Sequence, residues 1–147
     1  MLFLYFFLIL AVFFDVRTFR IPNKLILIGC AVGGFYRFFY PGGRGWLYYL
    51  ASAVGMFFLL IPFYKLRAFG GGDVKLLSLC ALFTGWEKGI SVALYTLFIG
   101  GFISVFYLVY HLYFSKDFHN KNLRHVIHFS IPIFLGVVCE QLRGGFL

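Results

Sequence analysis

The sequence predicts an all-α integral membrane protein of about six transmembrane helices, and three observations predict it. Of its 147 residues, 62% are hydrophobic and 12% charged, whereas soluble domains run near roughly 45–50% apolar and about 25% charged. Apolar runs that approach or reach the roughly 17 to 25 helical residues needed to cross a hydrocarbon core of about 30 Å recur along the chain. The polar segments between them are too short to bury a second core, so residues 1–147 are read as a single polytopic membrane domain.

The first run, about 1–18, contains "LFLYFFLILAVFF". It lacks the basic flank and small-residue cleavage site of a secretory signal, so it is expected to be retained. "TFRIPNK" ends it, and Pro22 suits the start of a second helix over about 22–40. "YPGGRG", with Pro41, breaks the chain before a third run at 46–64, and "KLRAFGGG" follows. A fourth, short run spans about 73–87, with Gly85 making its end ambiguous. "GWEKG" separates it from a fifth at 89–114. "SKDFHNKNLRH" then leads to a sixth at 126–143.

Basic residues orient these spans. The connectors near 15–24, 64–75 and 115–125 carry Arg17, Arg20, Lys24, Lys65, Arg67, Lys75, Lys116, Lys121 and Arg124, against Arg37, Arg44, Lys88 and Arg143 on the other side. Nine against four makes the first side cytoplasmic, with both termini opposite. Trp46, Trp86, Tyr40, Tyr48 and Tyr49 fall near the opposite interface, where aromatic belts form. The net charge of +8 is thus a topology signal with some attraction to anionic lipid. Spread over three short loops, it does not make a nucleic-acid surface.

Cys30, Cys80 and Cys139 stand alone in apolar runs. They form neither a redox pair nor a zinc site and are expected to be buried free thiols. His111, His119, His125 and His128 gather around the last basic connector, where solvation is the simpler reading. No metal or cofactor is implied.

Five carboxylates remain. Glu87 and Asp117 sit in polar connectors and are read as solvated; Glu140 stands three residues from Arg143, a helical spacing suited to a salt bridge. Asp15 and Asp73 differ. Thirteen apolar residues, Leu2 to Phe14, precede Asp15, a helical rise of about 20 Å that leaves it short of the cytoplasmic headgroups. An ionisable side chain at that depth is costly in lipid and marks a functional site by default. Asp73 opens the fourth span on the same side, so topology brings the two to similar depth. Topology alone leaves the alternatives open: Asp73 as a helix cap, its charge balanced by Lys75 or Arg67, and Asp15 held by Arg17 or Lys75. The triplet Gly70, Gly71 and Gly72 tilts the balance, because a cap needs no such run. Glycines take positive φ and lie close against an extended peptide.

"GGGD" at 70–73 fits the G-x-G-D motif of intramembrane aspartic proteases, and "DVRTFRIPNKL" at 15–25 resembles the first-aspartate motif of prepilin peptidases. With the continuation "DVKLL" and the late "HFSIPIFLG", the chain is similar over nearly its whole length to the short members of the type IV prepilin peptidase family. The resemblance implies a six-helix membrane fold that cuts the basic leader from pilin-like precursors at the cytoplasmic face, beside the precursor's apolar helix. It makes Asp15 and Asp73 the catalytic pair and Gly70 and Gly72 the motif glycines. Lys75, two residues on, is read as tuning Asp73, contacting phospholipid or solvating the loop. The paired C-x-x-C segment of longer members, associated with zinc and a methyl-transfer activity, is missing, so peptidase activity alone is expected.

Two adjacent carboxylates cannot both ionise easily and share a proton, which supplies one base and one acid. Two other classes compete. A small proton or cation transporter would place its acids near the midplane with repeat symmetry, which the sequence lacks. A catalytically silent assembly partner of a pilus or secretion system would tolerate loss of either aspartate.

Overall fold

The computed structural model describes residues 2–18, 21–40, 44–66, 69–114 and 129–145. Six helices run through them: α1 (Leu2–Thr18), α2 (Asn23–Phe39), α3 (Trp46–Lys65), α4 (Gly71–Thr84), α5 (Trp86–Phe114) and α6 (Ser130–Gly145). No strand occurs among the described residues. Arg20, Pro41, Gly43, Arg67, Lys116, Asp117, His119, Lys121, Arg124, His125 and His128 lie outside them.

Local chemistry explains the boundaries. The Pro22 carbonyl accepts the N–H groups of Leu25 and Ile26 and so starts α2. Gly85 has φ 87°, a left-handed conformation that suits glycine and stops a helix. It alone separates α4 from α5, so the connector expected from "GWEKG" shrinks to one residue. At the other end α4 begins at Gly71, which draws Gly71 and Gly72 into its first turn.

Helix α4 forms the middle of the bundle. Val74 and every residue from Leu76 to Phe83 are buried against α2, α3, α5 and α6. Glycines on its neighbours let it in. A Cβ at Gly29 or Gly33 of α2 would stand 2.8 Å from Leu79 Cδ2 or 2.7 Å from Phe83 Cε2, and one at Gly89 of α5 would stand 2.9 Å from Ala81 Cβ. Gly29 and Gly33 have the G-x-x-x-G spacing, which brings helices into close van der Waals contact where lipid removes the hydrophobic drive to associate.

The outside is as apolar as the inside. Phe98, Phe102 and Phe106 of α5 are 78%, 76% and 70% exposed, a surface that fits lipid. Trp46–Lys65 and Trp86–Tyr110 are long and apolar enough to cross a membrane. Among the described residues, seven hydroxyls, those of Thr18, Ser52, Ser78, Thr84, Ser91, Thr96 and Ser104, donate to the carbonyl four residues earlier. That is how a hydroxyl is satisfied without water.

Glu87 is exposed, as expected, and pairs with Arg44 at 2.8 Å, a solvated contact worth at most about 1 kcal/mol; two other expectations are corrected. Glu140 and Arg143 do not form the expected bridge. Arg143 Nη1 donates to Tyr95 Oη at 3.3 Å, while Glu140 points into a cavity of about 100 Å³ with Thr84, Lys88 and Val92. The two share a helix but face different neighbours of α6. All three cysteines are free, yet only Cys80 is buried; Cys30 and Cys139 lie on the outer surface, because α2 and α6 turn those faces away from the bundle.

Gly89→Val is expected to destabilise the protein by about 1–3 kcal/mol through overpacking, since Ala81 backbone stands 3.2 Å from the added carbon. Gly101→Val, where nothing lies within 4 Å, should change little. Thermal unfolding in detergent compares the two; equal shifts would contradict the packing.

Candidate active site

Two backbone accidents of sequence place the carboxylates. Helix α1 continues one turn past the last apolar residue of its long run and ends at Thr18, so Asp15 stays on the helix, half-buried. Asp73 is the third residue of α4 and is only 9% exposed. Its Oδ2 accepts the N–H of Gly70 at 3.1 Å, an acidic side chain at position N3 reaching back over the helix start. The reading of Asp73 as the N-cap is thereby corrected: Gly70 is the N-cap, and Asp73 caps it from N3. The cap occupies Oδ2, and the carboxylate it holds is buried.

The motif glycines work by proximity. Gly70 has φ −72°, so the positive φ expected of the triplet is not used there. A Cβ at Gly70 would instead lie 2.9 Å from Asp73 Oδ2, and any larger residue displaces the carboxylate from its cap. A Cβ at Gly72 would lie 3.3 Å from Ile21 Cβ. Ile21 belongs to the "IPN" that follows Asp15 in sequence. The two motifs are thus packed on each other.

Lys75 makes a second tie between them. Its Nζ donates to Asn23 Oδ1 at 2.8 Å, joining the first turn of α2 to that of α4 across 52 positions. The lysine expected to tune Asp73 or reach a lipid is bonded to the asparagine of "IPN".

Asp15 meets α6. Ser130 Oγ, fully buried at the first residue of that helix, donates to Asp15 Oδ2 at 2.6 Å. The Asp15 and Asp73 carboxylates lie within electrostatic reach of each other, so α1, α4 and α6 converge on one place. Ser130 was not singled out from sequence, although it stands within the quoted "HFSIPIFLG". Its signal is its position: a hydroxyl just ahead of Pro132, at a helix start, has no preceding turn of its own helix to bond. Among the described residues no group of three or more His, Cys, Asp or Glu gathers here or elsewhere in a metal-holding arrangement.

The sequence profile of the type IV leader peptidase family matches residues 2–109, a stretch that holds α1 to most of α5, both aspartates and the glycine triplet. The chain belongs to the type IV leader peptidase family. Membership makes it a membrane protease of the leader-peptidase kind. No curated protein and no solved structure matches the chain. The leader peptidase match ends before α6, so Ser130 enters from outside the matched region.

Lys75→Met and Asn23→Ala are each expected to cost about 0.5–1.5 kcal/mol, the net worth of one hydrogen bond. The double variant should cost no more than the larger single one. A denaturant or thermal cycle measures this coupling, and additive losses would mean that the tie contributes nothing.

Proposed function

We propose that this chain is a prepilin leader peptidase, an intramembrane aspartic endopeptidase that cuts the basic leader from type IV pilin-like precursors at the cytoplasmic face. Asp15 and Asp73 are the catalytic pair. The single observation that carries the reading is their proximity: a buried carboxylate of α4 lies within electrostatic reach of a half-buried carboxylate of α1 in a family of leader peptidases.

The chemistry follows from two acids with one proton between them. The ionised carboxylate takes a proton from water as its oxygen attacks the scissile carbonyl. The protonated partner hydrogen-bonds that carbonyl oxygen, then gives its proton to the departing amine. Water adds as OH to the acyl carbon and as H to nitrogen, so no cofactor or metal is required. Asp73 is held through Oδ2 by the Gly70 N–H and Asp15 through Oδ2 by the Ser130 hydroxyl.

Helix lengths support a site below the headgroups. From its far end, α1 rises about 20 Å to Asp15, α4 about 17 Å to Asp73 and α6 about 22 Å to Ser130. Those far ends are level, since Phe3 packs on Tyr36 at 5.9 Å and Tyr36 on Phe83 at 6.4 Å. With the far ends at one interface of a core about 30 Å thick, the carboxylates lie roughly 10 Å inside the other. The excess of basic residues makes that other face the cytoplasmic one, where a precursor still carries its leader. The precursor's apolar helix would lie in the bilayer with its basic leader in the cytoplasm.

Asp15→Asn and Asp73→Asn should each reduce cleavage of a co-reconstituted prepilin-type precursor by at least about 1,000-fold while leaving the protein inserted. Chelators should have no effect. Activity should fall at high pH, where both carboxylates ionise and the acid is lost, and at low pH, where both are protonated and the base is lost. Undiminished cleavage by either variant would remove that residue from the mechanism; an uncut precursor with the unaltered protein would leave the assembly-partner reading.

Gly72→Val should cripple cleavage, since it forces Ile21 away from the carboxylate-bearing turn; Gly34→Val, in open space, should be tolerated. For orientation, single cysteines replacing Arg44 and Lys24, in a background without Cys30, Cys80 and Cys139, would be treated with an impermeant thiol reagent in intact cells. Labelling at 44 and protection at 24 are expected. The reverse would turn the site away from its substrate.

A further inference from the structure

We infer that Ser130 is a positioning residue for the reaction: its buried hydroxyl, donating to Asp15 Oδ2 at 2.6 Å across 115 positions, holds the Asp15 carboxylate in one rotamer. The inference rests on the peptidase reading above for its catalytic consequence.

Three observations single this serine out. The other seven serine and threonine hydroxyls with described hydrogen bonds turn back on their own helix, each donating to the carbonyl four residues earlier. Ser130 alone among them spends its proton on another helix. It can do so because it is the first residue of α6 and has no preceding turn of that helix to bond. Pro132, which follows in the first turn, lacks an N–H that would have been unpartnered there anyway.

The start of α6 is also held rigidly enough to position something. Phe129, one residue earlier, packs edge-on against Phe69 at 5.7 Å. It also fills the space that Gly100 of α5 leaves, where an added Cβ would stand 2.8 Å from Phe129 Cε1. Ile133 N–H bonds the Phe129 carbonyl at 3.2 Å, and Ile133 is fully buried. Phe69 immediately precedes Gly70, whose N–H holds Asp73. One aromatic contact therefore links the residue beside each carboxylate's grip. Asp15 and Asp73 are set by neighbouring points of one packed unit, although they come from helices far apart in sequence.

Each staggered χ1 rotamer of Asp15 would put its carboxylate in a different place. Misplacing a catalytic group by about 1 Å is enough to cost on the order of 100-fold. A donor that cannot move removes that freedom. The hydroxyl touches neither substrate nor water in this role; it acts through Asp15.

The experiment compares Ser130→Ala, Ser130→Thr and, as a control away from the site, Ser104→Ala in the full-length protein reconstituted in lipid with a prepilin-type precursor. Ser130→Ala should lower kcat by about 10- to 100-fold with KM nearly unchanged, and should displace one limb of the pH profile. Ser130→Thr, which keeps the hydroxyl, should recover most of the rate. Ser104→Ala should behave as the unaltered protein. In parallel, thermal unfolding of Ser130→Ala, Asp15→Asn and the double variant tests the bond without reference to activity: the losses should be clearly non-additive. An unaltered kcat and pH profile in Ser130→Ala, or additive stability losses, would overturn the inference. So would a rate loss that Ser130→Thr fails to rescue and that follows lost folded protein. If the unaltered protein cuts nothing, the peptidase reading fails by itself, and the stability cycle still decides whether Ser130 holds Asp15.

Discussion

The burial of α4 on all sides is the constraint on which the rest of the molecule depends. A helix of fourteen residues rises about 21 Å, too little to cross a hydrocarbon core by itself. It persists because α2, α3, α5 and α6 surround it and because Gly29, Gly33 and Gly89 allow the first and third of these to approach its side chains closely. At its N-terminal turn Gly70 and Gly71 are exposed and Asp73 is buried, and the bond from the Gly70 N–H to Asp73 Oδ2 is what makes that burial tolerable.

The neighbouring helices differ in length in a way that suits this arrangement. Helix α6 begins opposite Gly100 of α5, where Phe129 packs, so α5 continues for about another 21 Å beyond that level. Helices α4 and α6 end early on the same side, and α1 carries its acid to the same depth. The chain thus combines two helices long and apolar enough to cross a membrane with shorter ones whose polar first turns lie against neighbouring helices. Irregular backbone and charge are allowed at such depth only where protein or water receives them. Here the receivers are Gly70, Asn23 and Ser130.

Much of this was legible in sequence. Six apolar runs gave six helices within a few residues, because length and hydropathy decide helix existence where backbone hydrogen bonds must be satisfied internally. Counting residues from Leu2 singled out Asp15, which the structure leaves half-buried on the last turn of α1. The motif around Asp73 pointed to the second acid. What was not legible was orientation within each helix. Cys30 and Cys139 lie outside and Cys80 inside, and all three stand in equally apolar runs. The Glu140–Arg143 spacing suited a bridge, but Arg143 bonds Tyr95 of α5 while Glu140 lines a cavity with Thr84, Lys88 and Val92. The role of the glycines was read as conformational freedom, whereas Gly70 and Gly72 are held by what stands beside them. The G-x-x-x-G of α2 was the available signal for close packing.

Ser130 shows why a pairwise contact between distant helices escapes sequence reading even when both residues are noticed. Nothing in local spacing distinguishes a serine that back-bonds its own helix from one that reaches across. The difference arises from being first in a helix that begins deep in the bundle, which depends on where α5 places Phe129. The same reasoning explains the tie between Lys75 and Asn23. Asn23 opens α2 and Lys75 is the fifth residue of α4, and the lysine donates to the asparagine across 52 positions. Polar groups at the ends of short helices in a bilayer must find one another. The contacts of Asp73 with Gly70, Asn23 with Lys75 and Ser130 with Asp15 all lie at or near the ends of helices, and the proposed pair of carboxylates stands among them.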